Sequence, residues 1–538
     1  MVALVLAAAC TLGGGGPTEQ LAADQTLSFP ISQDLSDFDP AQITLTSPAD
    51  VNILRNVFSG LYGFDEHLHL VPDIATAFPD ISADGLTYTF HLRRNAHFSN
   101  GDPISADDVL YSWNRAAKKQ GEYASLFAPI QGYQLVAAGR AASMSGLTKT
   151  DDYTVVTTLT SPAGYWLTEV GLWPFWLVDS KVVTAAGDDV WFTKPDNLIG
   201  SGPFKMTARA LGQSMDFEPV PHWYGSSTGA LKHVHVEVVT DPTVQVAKYE
   251  SGVFSLIGYG RQSLTPETAA RYETDAKLRE QLELVPAGVT FWVGYNMQTG
   301  PFAGVGGKAG RHAFATAIDR SALAEAVCTA GTTCMPATGG VIGKGLAGYL
   351  GDGADANAKF DAAAAKREYQ AWDPTGAKVK NLNYAYDSNP FNAAVCQNLI
   401  TQWQKNLSVK VGCTEIDRNT FFQQRDGRCA YAAFRQSWSA DYNNPQDWFD
   451  YLFVTHAPSG GACYSNANLD TLVATGDSKP VGLALSYYQA AGHVLIGDVA
   501  YAALVYGVQQ YLVHDYVRGA GGTALYDFYW TQARIDAH

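Results

Sequence analysis

Residues 71–115 read VPDIATAFPDISADGLTYTFHLRRNAHFSNGDPISADDVLYSWNR, a strand, two turns and a capped helix in one block. After the Asp84-Gly85 turn, Leu86, Tyr88, Phe90 and Leu92 alternate with polar residues, which predicts a half-buried strand over 84–93. Ser99-Asn100-Gly101-Asp102 makes a second turn, and Ser105 with Asp108 caps a helix running to about Lys118. Upstream, 25–32 is a strand-like run, Asp39-Pro40 opens a turn, and 47–61 reads as a helix with Pro48 at its first position. Downstream, Gly200, Gly202 and Pro203 shape a turn feeding a strand from Phe204, and a helix over 241–252 leads into an apolar run at 254–257. Strands alternating with helices of this length predict α/β lobes.

The chain has 538 residues, enough for two or three domains, and 46% of them are apolar. Only 16% are charged, and the net charge of −16 argues against nucleic acid, whose phosphates require a basic face. The 28 Tyr and 12 Trp suit a large, semi-polar cavity. At the N-terminus a short apolar run ends in Ala7-Ala8-Ala9-Cys10 and is followed by small and polar residues, similar to a bacterial lipobox in which Cys10 is acylated. The run is short and lacks a preceding Lys or Arg, so a start further upstream, or trimming, is expected. No other stretch approaches ~20 uninterrupted apolar residues. The expectation is an extracytoplasmic protein, periplasmic or held by lipid on the outer face of the bacterial cytoplasmic membrane. Six further cysteines suit disulfides. Cys328 and Cys334 have the spacing of a small closed loop and are expected to pair, while Cys396, Cys413, Cys429 and Cys463 allow three pairings. No C-x-x-C spacing occurs, so neither a zinc site nor thioredoxin-like chemistry is expected.

The 71–115 block resembles the signature of the extracellular solute-binding proteins that serve peptide and nickel ABC importers. The resemblance continues through NLIGSGPF at 197–204, HWYG at 222–225, Tyr295-Asn296-Met297, Pro301-Phe302 and Ala317-Ile318-Asp319-Arg320, in the family's order. It implies an α/β, two-lobed periplasmic-binding-protein fold (type II, similar to the large members called cluster C), with a subdomain inserted in lobe I and a hinge between lobes. On that pattern 1–24 is leader remnant and tether. Lobe I is 25–56, 186–286 and 508–538, the inserted subdomain is 57–185, and lobe II is 287–507.

A second stretch, RQSWSADYNNPQDWFDY at 435–451, follows an apolar run at 430–434 and ends a buried strand in Arg-x-x-Trp-x-x-Asp. Asn443-Asn444-Pro445 then breaks the strand before a helix start at 446–453. Arg435 and Asp441 have the charges to grip both ends of a zwitterion such as a peptide; a plain Arg435–Asp441 ion pair is the competing reading. Here the resemblance is to the oligopeptide-binding branch. It implies that Asp441 holds a peptide's α-ammonium, that Trp438 and Tyr442 flank it, and that Arg435 receives a short peptide's carboxylate. It places Tyr123 facing the cleft, and Thr44, Thr46, Ser437 and Ser439 in main-chain pairing with a peptide that adds as a strand. The chain departs from the branch in two places. Arg418 stands where a Trp is usual, a candidate for a C-terminal carboxylate, and the chain reads Asp387-Ser388-Asn389-Pro390-Phe391 where the branch has a basic residue after the strand at about 382–386. Ser439 stands where some relatives have Cys.

Other motifs are weak. Gly225-Ser226-Ser227-Thr228-Gly229 fits G-x-S-x-G without the strand a nucleophile elbow needs. His67/His69 and His233/His235 lack an evident third ligand, and Gly304-Val305-Gly306 with Ala309 lacks the strand and acid of a dinucleotide site. The implied function is capture of short peptides, as a monomer, for an ABC permease and its ATPase, with no cofactor and no catalysis. Alternatives are a nickel chelate, haem or an oligosaccharide, the last on platforms from Trp173, Trp176 and Trp292, or a secreted hydrolase, which lacks any complete catalytic constellation.

Overall fold

Strands Thr26–Ile31, His233–Val238, Ser214–Pro219 and Phe204–Ala210 lie side by side in that order, the first pair parallel and the rest antiparallel. Leu27, Phe29, Val234, Val236 and Phe217 point inward and are fully buried, the outcome of period-two alternation. These elements belong to a computed structural model that describes residues 20–44, 48–459 and 463–538. Cys10 and Thr46 therefore lie outside the described residues.

A second sheet, Asp80–Ile81, Thr87–His91, Thr154–Thr158 and Leu147–Asp151, is wholly antiparallel and packs on the helix Ala106–Lys119. The predicted alternation is there: Tyr88, Phe90 and Leu92 are buried and Leu86 half-buried, with Phe90 meeting Trp113 edge-on. Asp108 accepts the Ser105 amide at 2.8 Å, closing the helix start as expected. The predicted helix over 47–61 is shorter, Pro48–Leu54. The carbonyls of Asn56 and Val57, which a continuing helix would use, are taken by the amides of Phe204 and Gly202 at 2.8 Å. That approach is the reason for the glycines of the 200–204 turn: a Cβ on Gly200 would sit 1.9 Å from the Val57 carbonyl oxygen.

The third sheet has seven strands, in the order Leu256–Ile257, Tyr501–Val513, Leu282–Tyr295, Ala433–Ser439, Asn383–Asp387 and Gly412–Ile416, with Cys334–Pro336 also pairing on Tyr501–Val513. Its two long strands, of 14 and 13 residues, run antiparallel from Leu282↔Leu512 to Gly294↔Tyr501. Pro286 faces Val508, and the register shifts between Pro286 and Thr290. A proline withholds a ladder donor, so a break there is expected. The two strands join one lobe, beside Leu256–Ile257, to the other, where Val293, Tyr295, Phe314, Trp403 and Leu504 form a separate core.

Three disulfides brace the second lobe: Cys328–Cys334, the pair expected from spacing, with Cys396–Cys413 and Cys429–Cys463. Among the described residues no helix is long and apolar enough to cross a membrane.

Candidate functional site

The strand Ala433–Ser439 is paired along its whole length with the long strand on one side, from Tyr295↔Ala433 to Val289↔Ser439. On the other side Asn383–Asp387 reaches only Ala433 and Phe434. Among the described residues the edge beyond Phe434 has no neighbouring strand, so its backbone groups are open to an added one. The edge ends at Ala440, whose amide donates to the Gly288 carbonyl at 2.7 Å, and Asp441 follows.

The loop that holds Asp441 is built from the inside. Asp447, fully buried, accepts both the Asp441 amide (3.1 Å) and Trp438 Nε1 (3.0 Å). Burial, then the nearby Asp441 charge, drives the Asp447 carboxyl well above the usual range. Trp438 stacks on Tyr451 with centroids 5.7 Å apart. Asn443 donates to the Leu68 carbonyl (3.0 Å) and Asn444 to Thr168 Oγ1 (3.3 Å), which ties the loop to segments flanking the second sheet. Tyr442 is buried, with its hydroxyl against Glu169 Oε1 (3.2 Å) and Gln446 Oε1. One phenolic hydrogen meets two acceptor oxygens there. Gln446 cannot flip without losing its 2.7 Å Nε2 bond to Asp450, so a protonated Glu169 completes the count. Burial pushes Glu169 up to about 8.

The Asp441 carboxylate receives a 3.3 Å bond from the Tyr123 hydroxyl and forms no ion pair among the described residues. Burial pushes its pKa up to about 6; the Tyr123 bond and the Arg261 charge pull it down, and Glu122 pushes it up. An ionised carboxylate accepts about four hydrogen bonds, so most of its capacity is open. Tyr123 is fixed by Trp173, edge to face at 4.8 Å, and Trp173 donates Nε1 to the Ile43 carbonyl at 3.1 Å. The segment leading to Thr44 is thereby brought to the same place as Tyr123 and Asp441.

Arg435 is not brought to Asp441. Its Nε goes to Asp387, at the end of the neighbouring strand, and its Nη1 to Ser437 Oγ at 3.0 Å. Arg418, largely exposed, lies 3.5 Å from the same Asp387. Ser439 Oγ accepts from Arg261 at 3.3 Å. Sequence reasoning missed Arg261, Asp447 and Glu122; the first lies in a loop with no motif, and Asp447 stands in the first turn of the helix Gln446–Leu452, where an acid is common. Trp173, Trp176 and Trp292 are 1%, 7% and 2% exposed, so none offers a platform for a sugar. His233 and His235 share Asp216 as partner. Ser227 donates to the Thr531 carbonyl at 2.9 Å within a loop. A cavity of about 610 Å³ borders the site loop at Asn443–Pro445, between Leu68 and Leu167 on one side and Val481 and Leu485 on the other, without Asp441 in its lining.

An α/β pair of lobes joined by two long strands, with an open strand edge leading to a carboxylate that has no ion pair among the described residues, defines a two-lobed solute-binding protein. The profile of the bacterial extracellular solute-binding proteins, family 5 (middle region), matches residues 69–459, and the chain belongs to that family. It is 25% identical over 483 residues to the periplasmic oligopeptide-binding protein OppA of Haemophilus influenzae, covering 88% of this chain and 86% of that one. It is 24% identical over 519 residues to the periplasmic murein peptide-binding protein MppA of Escherichia coli, covering 93% and 91%. Its fold matches the unliganded open form of an MppA murein tripeptide binding protein with a TM-score of 0.84, at 24% identity, over 97% of this chain and 99% of that one.

Proposed function

We propose that this protein captures short peptides outside the cytoplasm by their free amino terminus and delivers them to an ABC permease and its ATPase. The observation that carries the reading is Asp441, a mostly buried carboxylate with one hydroxyl donor and no ion pair among the described residues. Leaving such a group uncompensated is costly, and an incoming ammonium supplies the missing donors. The peptide backbone adds to the free edge of 436–439, opposite the segment that includes Thr44 and Thr46, so affinity comes from main-chain bonds and water fills around varied side chains. Support comes from the peptide binding that the names of the relatives OppA and MppA describe and from the likeness to an unliganded open form.

In this reading lobe I is 25–56, 186–286 and 508–538, the inserted subdomain 57–185 and lobe II 287–507. The bulge at Pro286 and Val508 then acts as the hinge. Cys10 carries a lipid that tethers a monomer to the membrane, and the activity is binding without catalysis. Native mass spectrometry against a pool of tri- to pentapeptides tests this. One intact peptide per chain is expected; a chain that takes none, or returns them cleaved, contradicts it.

A further inference from the structure

Arg435 is the cation on the strand whose open edge leads to Asp441, six positions upstream and thus at most about 20 Å away along the backbone. A short peptide anchored by its ammonium at Asp441 and lying along that edge brings its carboxylate toward Arg435. The guanidinium already has an anion. Asp387 is 1% exposed and takes Arg435 Nε. Asn392 Nδ2 donates to the same Oδ1 at 2.9 Å, which holds the carboxylate in place. Arg418 approaches the other oxygen at 3.5 Å, and Arg425, the third arginine of the cluster, turns to Asp426 at 2.7 Å and 3.0 Å. Arg418 is largely exposed, so its charge is screened by water and weakens the Asp387 anion less than a buried cation would. A ligand carboxylate reaching Arg435 would share its guanidinium with a buried anion, and the attraction of the one is offset by the repulsion of the other.

We propose that Asp387 is a specificity-determining residue: it neutralises Arg435, so the site reads a peptide's amino terminus and is indifferent to its carboxy terminus. The ligand class is then peptides with a free amine and any C-terminal chemistry, including amides and chains that run on past the pocket. This rests on the proposed role of Asp441.

The test compares trialanine, trialanine amide and N-acetyltrialanine by calorimetry on the full chain and on Asp387→Asn, which keeps the side chain's shape and an oxygen for Asn392. Wild type is expected to bind acid and amide within about threefold, and Asp387→Asn to favour the acid by about tenfold or more. A tenfold or larger loss on amidation in wild type overturns the proposal, as does a folded Asp387→Asn without acid preference. Should that variant fail to fold, the wild-type acid-to-amide ratio decides alone. The acetylated peptide reports on Asp441 instead: binding as tight as the free amine sinks that reading and leaves the acid-to-amide ratio standing.

Discussion

The Tyr123 hydroxyl donates to Asp441 Oδ1 at 3.3 Å, joining residues 318 positions apart in the chain. Both groups are mostly buried, and the bond orients the carboxylate without neutralising it. Tyr123→Phe removes the donor and keeps the ring that Trp173 holds. Peptide affinity is expected to fall by about 0.5–1.5 kcal/mol, roughly two- to tenfold, with little change in the thermal midpoint, as measured by calorimetry and a melt on the same preparation.

Affinity should depend on pH in a direction set by Asp441. Its carboxyl titrates near 6, because burial outweighs the pull of Tyr123 and Arg261. The ligand's amine is protonated below about 8. Ionised carboxylate and ammonium coexist between those values, so affinity is flat there, falls about tenfold per unit below pH 6 and falls again above 8. Replacement by Asn removes the acid limb, which binding isotherms from pH 4.5 to 9 would reveal.

Stability should run the other way with pH through Glu169. Its folded value, pushed up to about 8 by burial, lies above the ordinary 4.5. The folded state therefore holds a proton that the unfolded chain releases between those values. Stability from this group is full below about 4.5 and is lost as pH rises toward 8, on the order of a few kcal/mol. Glu169→Gln keeps a donor for Tyr442 and should flatten that slope, raising the midpoint at pH 8.5 above wild type by roughly 2–4 °C. A variant whose midpoint tracks wild type across the range contradicts the assignment.

The Cys396–Cys413 bridge ties the helix Pro390–Leu407 to the strand Gly412–Ile416 at the outer edge of the seven-stranded sheet. Replacing both cysteines by Ala is expected to cost about 2–4 kcal/mol and to lower the first thermal transition. Peptide affinity at 25 °C should stay within about twofold, because the bridged strand lies two places along the sheet from the strand that bears Arg435.

The 71–115 block was legible because its signals are local: alternation put Tyr88 and Phe90 inside, and Ser105 with Asp108 closed a helix start. The Cys328–Cys334 spacing was legible for the same reason. The helix at 48–54 was overread because Gly202 and Phe204, from far along the chain, take the carbonyls of Val57 and Asn56 that a longer helix would use. The partner of Arg435 was hidden in the same way. Sequence proximity pointed to Asp441, while the sheet places Asp387, from 48 residues earlier, beside it. Period-two alternation gives a face but not a neighbour, and the neighbour decides which carboxylate the ligand finds free.

The most direct test of that free carboxylate is calorimetry of trialanine and N-acetyltrialanine with wild type and Asp441→Asn at pH 7. The account predicts a loss of about 2–5 kcal/mol on either change alone and little further loss when both are made. Full affinity in Asp441→Asn, or additive losses from the two changes, would contradict it.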